Sequence, residues 1–600
     1  MDLLHLGIPS LTTVTVVGLI ISLALTLLYH AAKPKPIPGI PHNVASAGNL
    51  LGDVPAITSH IRATEGTFIT YIIDLMQSLN TPIIQVFIRP FSKPLVVMGD
   101  FHEAHDVLIH RSKDFDRSDS LGDLVKGLAP DHHIHLKTGD AWKRQRRLVQ
   151  DLMTPTFLHK VAGPALHANV ARMVNLWREK ALIADGRPWH AADDINHVAL
   201  DAVTAFAFGE GFDHSATRPA LETLRALDAE GIAAVRRGGD KDAPIEFPPG
   251  KGGELLEAIL ELTETVGEVQ GNPWPALTWA WVMRRPRIKR AVRVKEAYIM
   301  KELTSAVRRL TGADGQGQAV RSAVDHMVVS ETKLAQKDGR APDYFSRVMI
   351  DEIFGFVFAG HETTSTTLCW GLKFLSDNPQ AQSKLRDALQ TTFAAAHAEG
   401  RDPAVHEITG SHIPYLDATM EEILRCAGTA PVVDRQAVYD TELLGYKISK
   451  GTMLTCLVTG PTMMSPGFEI PDAQRSATSR AAKGEGRVRA WDPQDMALFN
   501  PDRWIVRTGK DNIKDGQEVE EFDPTAGPQL AFGLGTRGCY GKRLVYVEMR
   551  MVLVLVVWNF ELLACPPGLS GYKSALITTN EPRQCFVRLR EVGRAACKAR

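Results

Sequence analysis

The sequence predicts a mainly α fold with a small β region, preceded by one N-terminal transmembrane helix, and three observations carry that reading. The first is Leu11 to Tyr29, a run without a single charge. The second is extended helical patterning: Leu166 to about Gly312, the nearly all-apolar stretch Asp351 to Trp370, and Lys542 to Leu563. The third is that the β signals are short, beginning with Ile83 to Ile88 and Pro94 to Met98 around R-P-F-S-K. The 600 residues, 44% hydrophobic and 23% charged, are ordinary for a globular chain with a large interior. A net charge of -1 argues against a dedicated nucleic-acid binder. Seven cysteines without a C-x-x-C pair suggest neither a disulfide framework nor a zinc ribbon.

As a helix rising about 1.5 Å per residue, Leu11 to Tyr29 is long enough for a hydrocarbon core of roughly 30 Å. Asp2 is the one charge ahead of it and His30-Ala31-Ala32 makes a poor cleavage site, which favours an anchor over a cleaved signal. Lys33 and Lys35 follow directly and place the remainder in the cytosol by the positive-inside rule. Prolines 34, 36, 38 and 41 then predict a stiff spacer. The expected organisation is an anchor segment over 1–30, a hinge over 31–42 and a catalytic body over 43–600, with a solvated insertion near 471–490.

Within the body, Asp131 to His135 reads D-H-H-I-H, a cluster open to a metal-binding reading but lacking a cysteine partner or clear ligand spacing. Trp142 and Arg146 share a helix face, while Lys143, Arg144 and Arg147 form a basic outer face. Trp274, Trp279 and Trp281 precede the basic run Arg284 to Arg293; core packing is the expectation over a membrane contact. In the central apolar stretch, His361-Glu362 is not a zincin motif, because Ser365 stands where the second histidine belongs. The Thr363 hydroxyl can bond the Ala359 carbonyl four residues back and open the helix ladder there. Glu422 and Arg425 share a helix face, and Pro431 to Arg435 and Leu443 to Leu454 predict strands joined at a turn. Cys539 sits in F-G-L-G-T-R-G-C-Y-G just ahead of a helix, where unpaired N–H groups and the helix dipole favour a metal-ligating thiolate.

That loop resembles the heme-ligand signature of the cytochrome P-450 family at Phe532, Gly535, Arg537, Cys539 and Gly541. W-x-x-x-R at Trp142 and Arg146, A-G-H-E-T-T at 359–364, E-x-x-R at Glu422 and Arg425, and F-N-P-D-R-W at 499–504 resemble further elements of that family, with Asp502 in place of glutamate. The resemblance implies a heme-thiolate fold with heme b between the Cys539 loop and the Ala359 to Thr364 helix. It implies propionate contacts from Trp142, Arg146 and Arg435, proton relay by Glu362 and Thr363, and a buried ionic triad of Glu422, Arg425 and Arg503. The implied reaction inserts one oxygen atom into an apolar small molecule, with electrons from NADPH through the flavins of NADPH-cytochrome P-450 reductase docked on the basic face. The text looks most like fungal members that oxidise terpenoid or polyketide intermediates, single-pass in the endoplasmic reticulum membrane with a cytosolic catalytic domain. A heme-thiolate isomerase or dehydratase working without reductase and a non-catalytic heme sensor remain as rivals.

Overall fold

The axis of the molecule is the helix Arg347–Asp377, buried along most of its length because apolar residues occupy nearly every side. In this computed structural model the described residues are 11–592, without 210, 211, 213, 271, 273, 312–318, 487 and 508–519; the expected end of helical patterning at Gly312 lies outside them. The Ser346 side chain caps the helix by accepting the Met349 N–H. Asn378 ends it because the next residue is Pro379, which restricts the residue ahead of it and opens a new helix at its own first position. Ala192–Phe208 packs along this central helix, Pro414–Ala427 packs against it, and the Cys539 loop leads into Lys542–Asn559, whose Met549 and Met551 to Val557 side chains are buried in the same core.

The β region forms a five-stranded sheet beside the helices. Ile83–Val86 and Leu95–Met98 make the expected antiparallel hairpin. Leu95–Met98 pairs in parallel with Met453–Leu457, which pairs antiparallel with Val432–Ala437, and Phe115–Asp116 closes the edge. The strand pattern expected over Leu443 to Leu454 is divided among three strands, of which Met453–Leu457 belongs to this sheet. Leu444 and Gly445 both take positive φ, so Thr441–Leu443 and Tyr446–Ile448 turn into a separate hairpin.

Three other expectations need correction. The hinge over 31–42 is a free spacer only in part: helix Leu11–Ala32 runs further than Tyr29, and the buried Gln85 amide bonds Ile37 and Ile40, tying the later residues to the sheet. The three tryptophans do not share one fate. Trp279 is buried and donates to the Asp123 carbonyl, whereas Trp274 and Trp281, on the opposite face with Leu277, are 58% and 62% exposed. The insertion near 471–490 is not simply solvated. Arg475 is buried and bonds Asp100 at 3.0 Å and Glu103 at 2.9 Å, while Ser476 and Ser479 bond Asp106 and Glu103. Its partners lie so far back in the chain that no local pattern announces them.

Glu422 is the strongest polar junction. Its carboxylate, wholly buried, accepts from Arg425 at 2.8 and 2.7 Å, Arg503 at 3.0 Å, the Trp504 indole at 2.9 Å and the Asn500 N–H at 2.8 Å. Arg425 donates onward to the carbonyls of Met463, Met496 and Leu498, so one ion pair sews the Pro414–Ala427 helix to two loops. Glu422→Ala would leave the Arg425 charge buried and unpaired, at a cost of about 3–5 kcal/mol. We expect that variant to melt well below the parent or not to fold, as followed by circular dichroism; an unchanged melting curve would show that the junction is dispensable.

Candidate active site

The Cys539 loop takes its shape from close approach. Gly535, at φ +70°, lies so near Leu108 that a Cβ would stand 2.2 Å from its carbonyl oxygen. The Cys539 N–H donates to Phe532 O at 2.7 Å, closing the loop on itself. The side chain faces accessible space, yet the protein around it is dense enough that burial pushes the thiol pKa up. The N–H groups of Gly541 and Lys542 oppose that shift, with help from the charges of Arg117 and Arg146. These are the donors a thiolate at a helix N-terminus requires.

Around the loop lie guanidinium groups from separate parts of the chain. Arg537 donates to Leu136 O at 2.8 Å and stacks 4.7 Å over the Trp142 ring. Arg146 sits 4.1 Å over the ring of Tyr540, next to the cysteine. Arg435 is buried on its strand with one nitrogen bonded to Asp434 O. Arg117, which sequence reasoning missed, reaches Arg537 O at 3.2 Å. Burial, aided by mutual repulsion, pushes Arg537 down to about 9 and Arg117 to about 10. The Nε of Arg117 and the Nε and Nη1 of Arg537 are buried without a hydrogen-bond partner among the described residues. Clustered cations with orphaned donors suit a ligand bearing carboxylates. An iron macrocycle with two propionates therefore fits the residues present: sulfur for the metal, arginines for the acid groups, and a glycine-lined loop for a flat face. Nothing in F-D-R-S-D-S around Arg117 could have marked it, since its neighbours in the cluster are distant in sequence.

On the central helix, Ala359 is exposed in the middle of an otherwise buried element, with the half-buried Gly360 beside it. Thr363 Oγ1 donates to Ala359 O at 2.8 Å. The helix nevertheless continues unbroken through the motif, so the expected opening of its ladder is not present here. The i−4 hydroxyl bond supplements the backbone ladder instead of replacing it. Burial pushes Glu362 up to about 7, opposed by a hydrogen bond from Thr578 and reinforced by the nearby Glu581 carboxyl. His361 turns its Nδ1 to Val357 O at 2.9 Å and burial disfavours its charged form, making it a core histidine. Phe356 lies 6.5 Å from Tyr540, ring to ring, which places this helix against the cysteine loop.

Two members of the D-H-H-I-H cluster converge on the same helix. His133 Nδ1 is 2.7 Å and His132 Nε2 3.5 Å from the buried Glu352 Oε2. Gly355 makes room, since a Cβ there would meet His132 Nε2 at 2.2 Å. The three groups lie close enough to hold a metal ion, but the surrounding bonds oppose it. Ile134 N–H donates into His132 Nδ1 at 3.1 Å, so the neutral ring carries its proton on Nε2, facing Glu352. A metal-bound histidine instead donates from its second nitrogen. Burial pushes His132 down to about 4 and His133 to about 3, leaving neutral rings that brace the 129–136 segment against the helix.

The chain is 42% identical to a cytochrome P450 monooxygenase, TRI13, of Fusarium sporotrichioides, over 95% of this chain and 98% of that protein. It is 34% identical to cytochrome P450 monooxygenase GME11363 of Pestalotiopsis microspora over 97% and 98%, and 35% identical to cytochrome P450 monooxygenase xilC of Penicillium crustosum over 96% of each. The Cytochrome P450 family model matches residues 60–463 and 495–583, and the stretch between them contains the docked insertion with Arg475. The chain is an oxidoreductase belonging to the cytochrome P450 family.

Proposed function

We propose that this chain is a membrane-anchored heme-thiolate monooxygenase that inserts one oxygen atom of dioxygen into an apolar small molecule, with NADPH electrons delivered by a flavoprotein reductase. The observation that carries the reading is the cysteine set at a helix N-terminus among buried arginine donors that lack partners. Cys539 would ligate heme iron; Trp142, Arg146, Arg435 and Arg537, joined by Arg117, would hold the propionates; Phe532, Gly535 and Gly541 shape the loop. Heme bound through a thiolate supplies dioxygen activation and one-electron chemistry.

The chain's own residues supply the rest. Glu362 holds a proton near neutral pH, and Thr363 offers a hydroxyl one turn from the exposed Ala359. Together they can pass protons where the reaction needs them. Lys143, Arg144 and Arg147 are exposed on the helix that carries Trp142 and Arg146, a fitting dock for an acidic reductase. The helix Leu11–Ala32 is long and apolar enough to cross a membrane, and Lys33 and Lys35 favour a cytosolic body on the endoplasmic reticulum. Likeness to fungal monooxygenases, one of which is named for the Hps1-dma1 cluster, supports a biosynthetic intermediate as substrate, which we take to be of terpenoid or polyketide type.

Three measurements test this. The reduced carbon-monoxide complex should show the red-shifted Soret band of thiolate ligation, and Cys539→Ala should abolish it; a variant that keeps the band refutes the ligand assignment. Thr363→Ala should lower product formed per NADPH by about tenfold or more, with peroxide released. Because Glu362 titrates at about 7 and its protonated form is the donor, coupling should be highest below that pH and decline above it. Turnover without NADPH would favour the isomerase reading. Removing residues 1–32 should release most of the protein from membranes on sedimentation; complete retention would refute the single anchor.

A further inference from the structure

Residues 464–494 lie between the two stretches that match the family model, yet they are locked onto the body by a buried polar clamp. Arg475, Ser476 and Ser479 meet Asp100, Glu103 and Asp106, which recur every third residue along the segment 100–110. Arg475 Nη1 donates to Asp100 at 3.0 Å and to Glu103 at 2.9 Å, Ser479 Oγ to the same Glu103 oxygen at 2.5 Å, and Ser476 Oγ to Asp106 at 2.6 Å. Glu103 and Asp106 are wholly buried. Apolar contact accompanies the clamp: Ala482 and Val488 of the insertion share one cluster with Phe101, Ala104 and Leu108. Leu530, just ahead of the cysteine loop, belongs to that cluster, and Leu534 within the loop packs against it.

The 100–110 segment in turn bears on the cysteine loop. Asp106, whose carboxylate takes the Ser476 bond, opens a π-helical turn over Asp106–His110, which the Arg111 N–H closes on Asp106 O at 3.0 Å. Leu108 in that turn meets Gly535 so closely that no side chain would fit between them. Gly535 O accepts the Gly538 N–H at 3.1 Å, and the next residue is Cys539, whose own N–H closes on Phe532 O. We propose that Arg475 is a positioning residue for Cys539: through it the insertion holds the 100–110 segment against Gly535 and so fixes the loop that presents the sulfur. This rests on the monooxygenase reading for what the sulfur ligates, though not for the packing. The contact at Gly535 involves backbone on both sides, and a close-packed interior transmits a displacement there instead of absorbing it. Without Arg475, Asp100 and Glu103 would be buried with no cation between them, a strain the segment relieves by shifting toward water.

The test uses full-length heme-loaded protein and reads hydrogen exchange of the loop N–H groups alongside the carbon-monoxide spectrum. Arg475→Met should speed exchange at Gly538 and Cys539 by about tenfold, and should shorten by a similar factor the time for which the thiolate Soret band survives in dilute urea. Lys180→Met breaks the buried Lys180–Asp194 pair instead and should leave loop exchange within about twofold of the parent. Arg475→Lys, which keeps the charge but not the fork, should fall between the parent and Arg475→Met. If Arg475→Met does not fold, the double variant Ser476→Ala with Ser479→Ala loosens the clamp while keeping its ion pairs, and should speed exchange at the same two groups by about threefold. Unchanged loop exchange or an unshortened thiolate band in Arg475→Met, or in the double variant where that one does not fold, overturns the proposal. So does an equal acceleration in Lys180→Met. Absence of the thiolate band in the parent would instead overturn the monooxygenase reading and leave loop exchange to decide the packing.

Discussion

Buried positive charge at the cysteine loop is the constraint on which the rest of the site depends. Arg117, Arg146, Arg435 and Arg537 arrive from four parts of the chain, and burial works against the charged form of each, with repulsion from neighbouring arginines adding to it at Arg117 and Arg537. A fold tolerates such a cluster when surrounding packing over-determines each position. Here aromatic rings do part of that work: Trp142 lies under Arg537 and Tyr540 under Arg146. Two of these charges, Arg117 and Arg146, act on Cys539, where they oppose the effect of burial on the thiol. The cluster that would hold acid groups thus also prepares the sulfur.

Opposite-sign junctions elsewhere hold the frame that keeps the cluster in place. The Glu422 carboxylate spends all its acceptor capacity on Arg425, Arg503, Trp504 and Asn500. Arg475 plays a similar part for the insertion, between Asp100 and Glu103. Both are buried ion pairs, in which removing one partner leaves the other's charge buried and uncompensated. Glu352, with His132 and His133, braces the segment between the arginine cluster and the central helix by hydrogen bonds to neutral rings.

Much of the fold was legible in the sequence because it rests on local periodicity. The uncharged run from Leu11, the all-apolar central helix and the 83–98 hairpin each declare themselves within about 20 residues. The site was legible to the extent that its chemistry is packed into short motifs, as at Phe532 to Gly541 and Ala359 to Thr364. Where reading failed, the cause was distance along the chain. Arg117 carries no local mark, the insertion's acids precede it by hundreds of residues, and the Trp274 to Trp281 face depends on what packs beside it. Leu443 to Leu454 failed for a local reason, positive φ at a leucine as well as at a glycine.

By itself the sequence determined the helical class, the apolar N-terminal helix, the family and the identity of the cysteine loop, because backbone geometry and ligand spacing are written in neighbouring residues. Only the tertiary structure decided which arginines meet at that loop and that the histidine cluster is a brace. Those outcomes depend on packing between elements far apart in sequence, where burial and field, and not spacing, set what a side chain does.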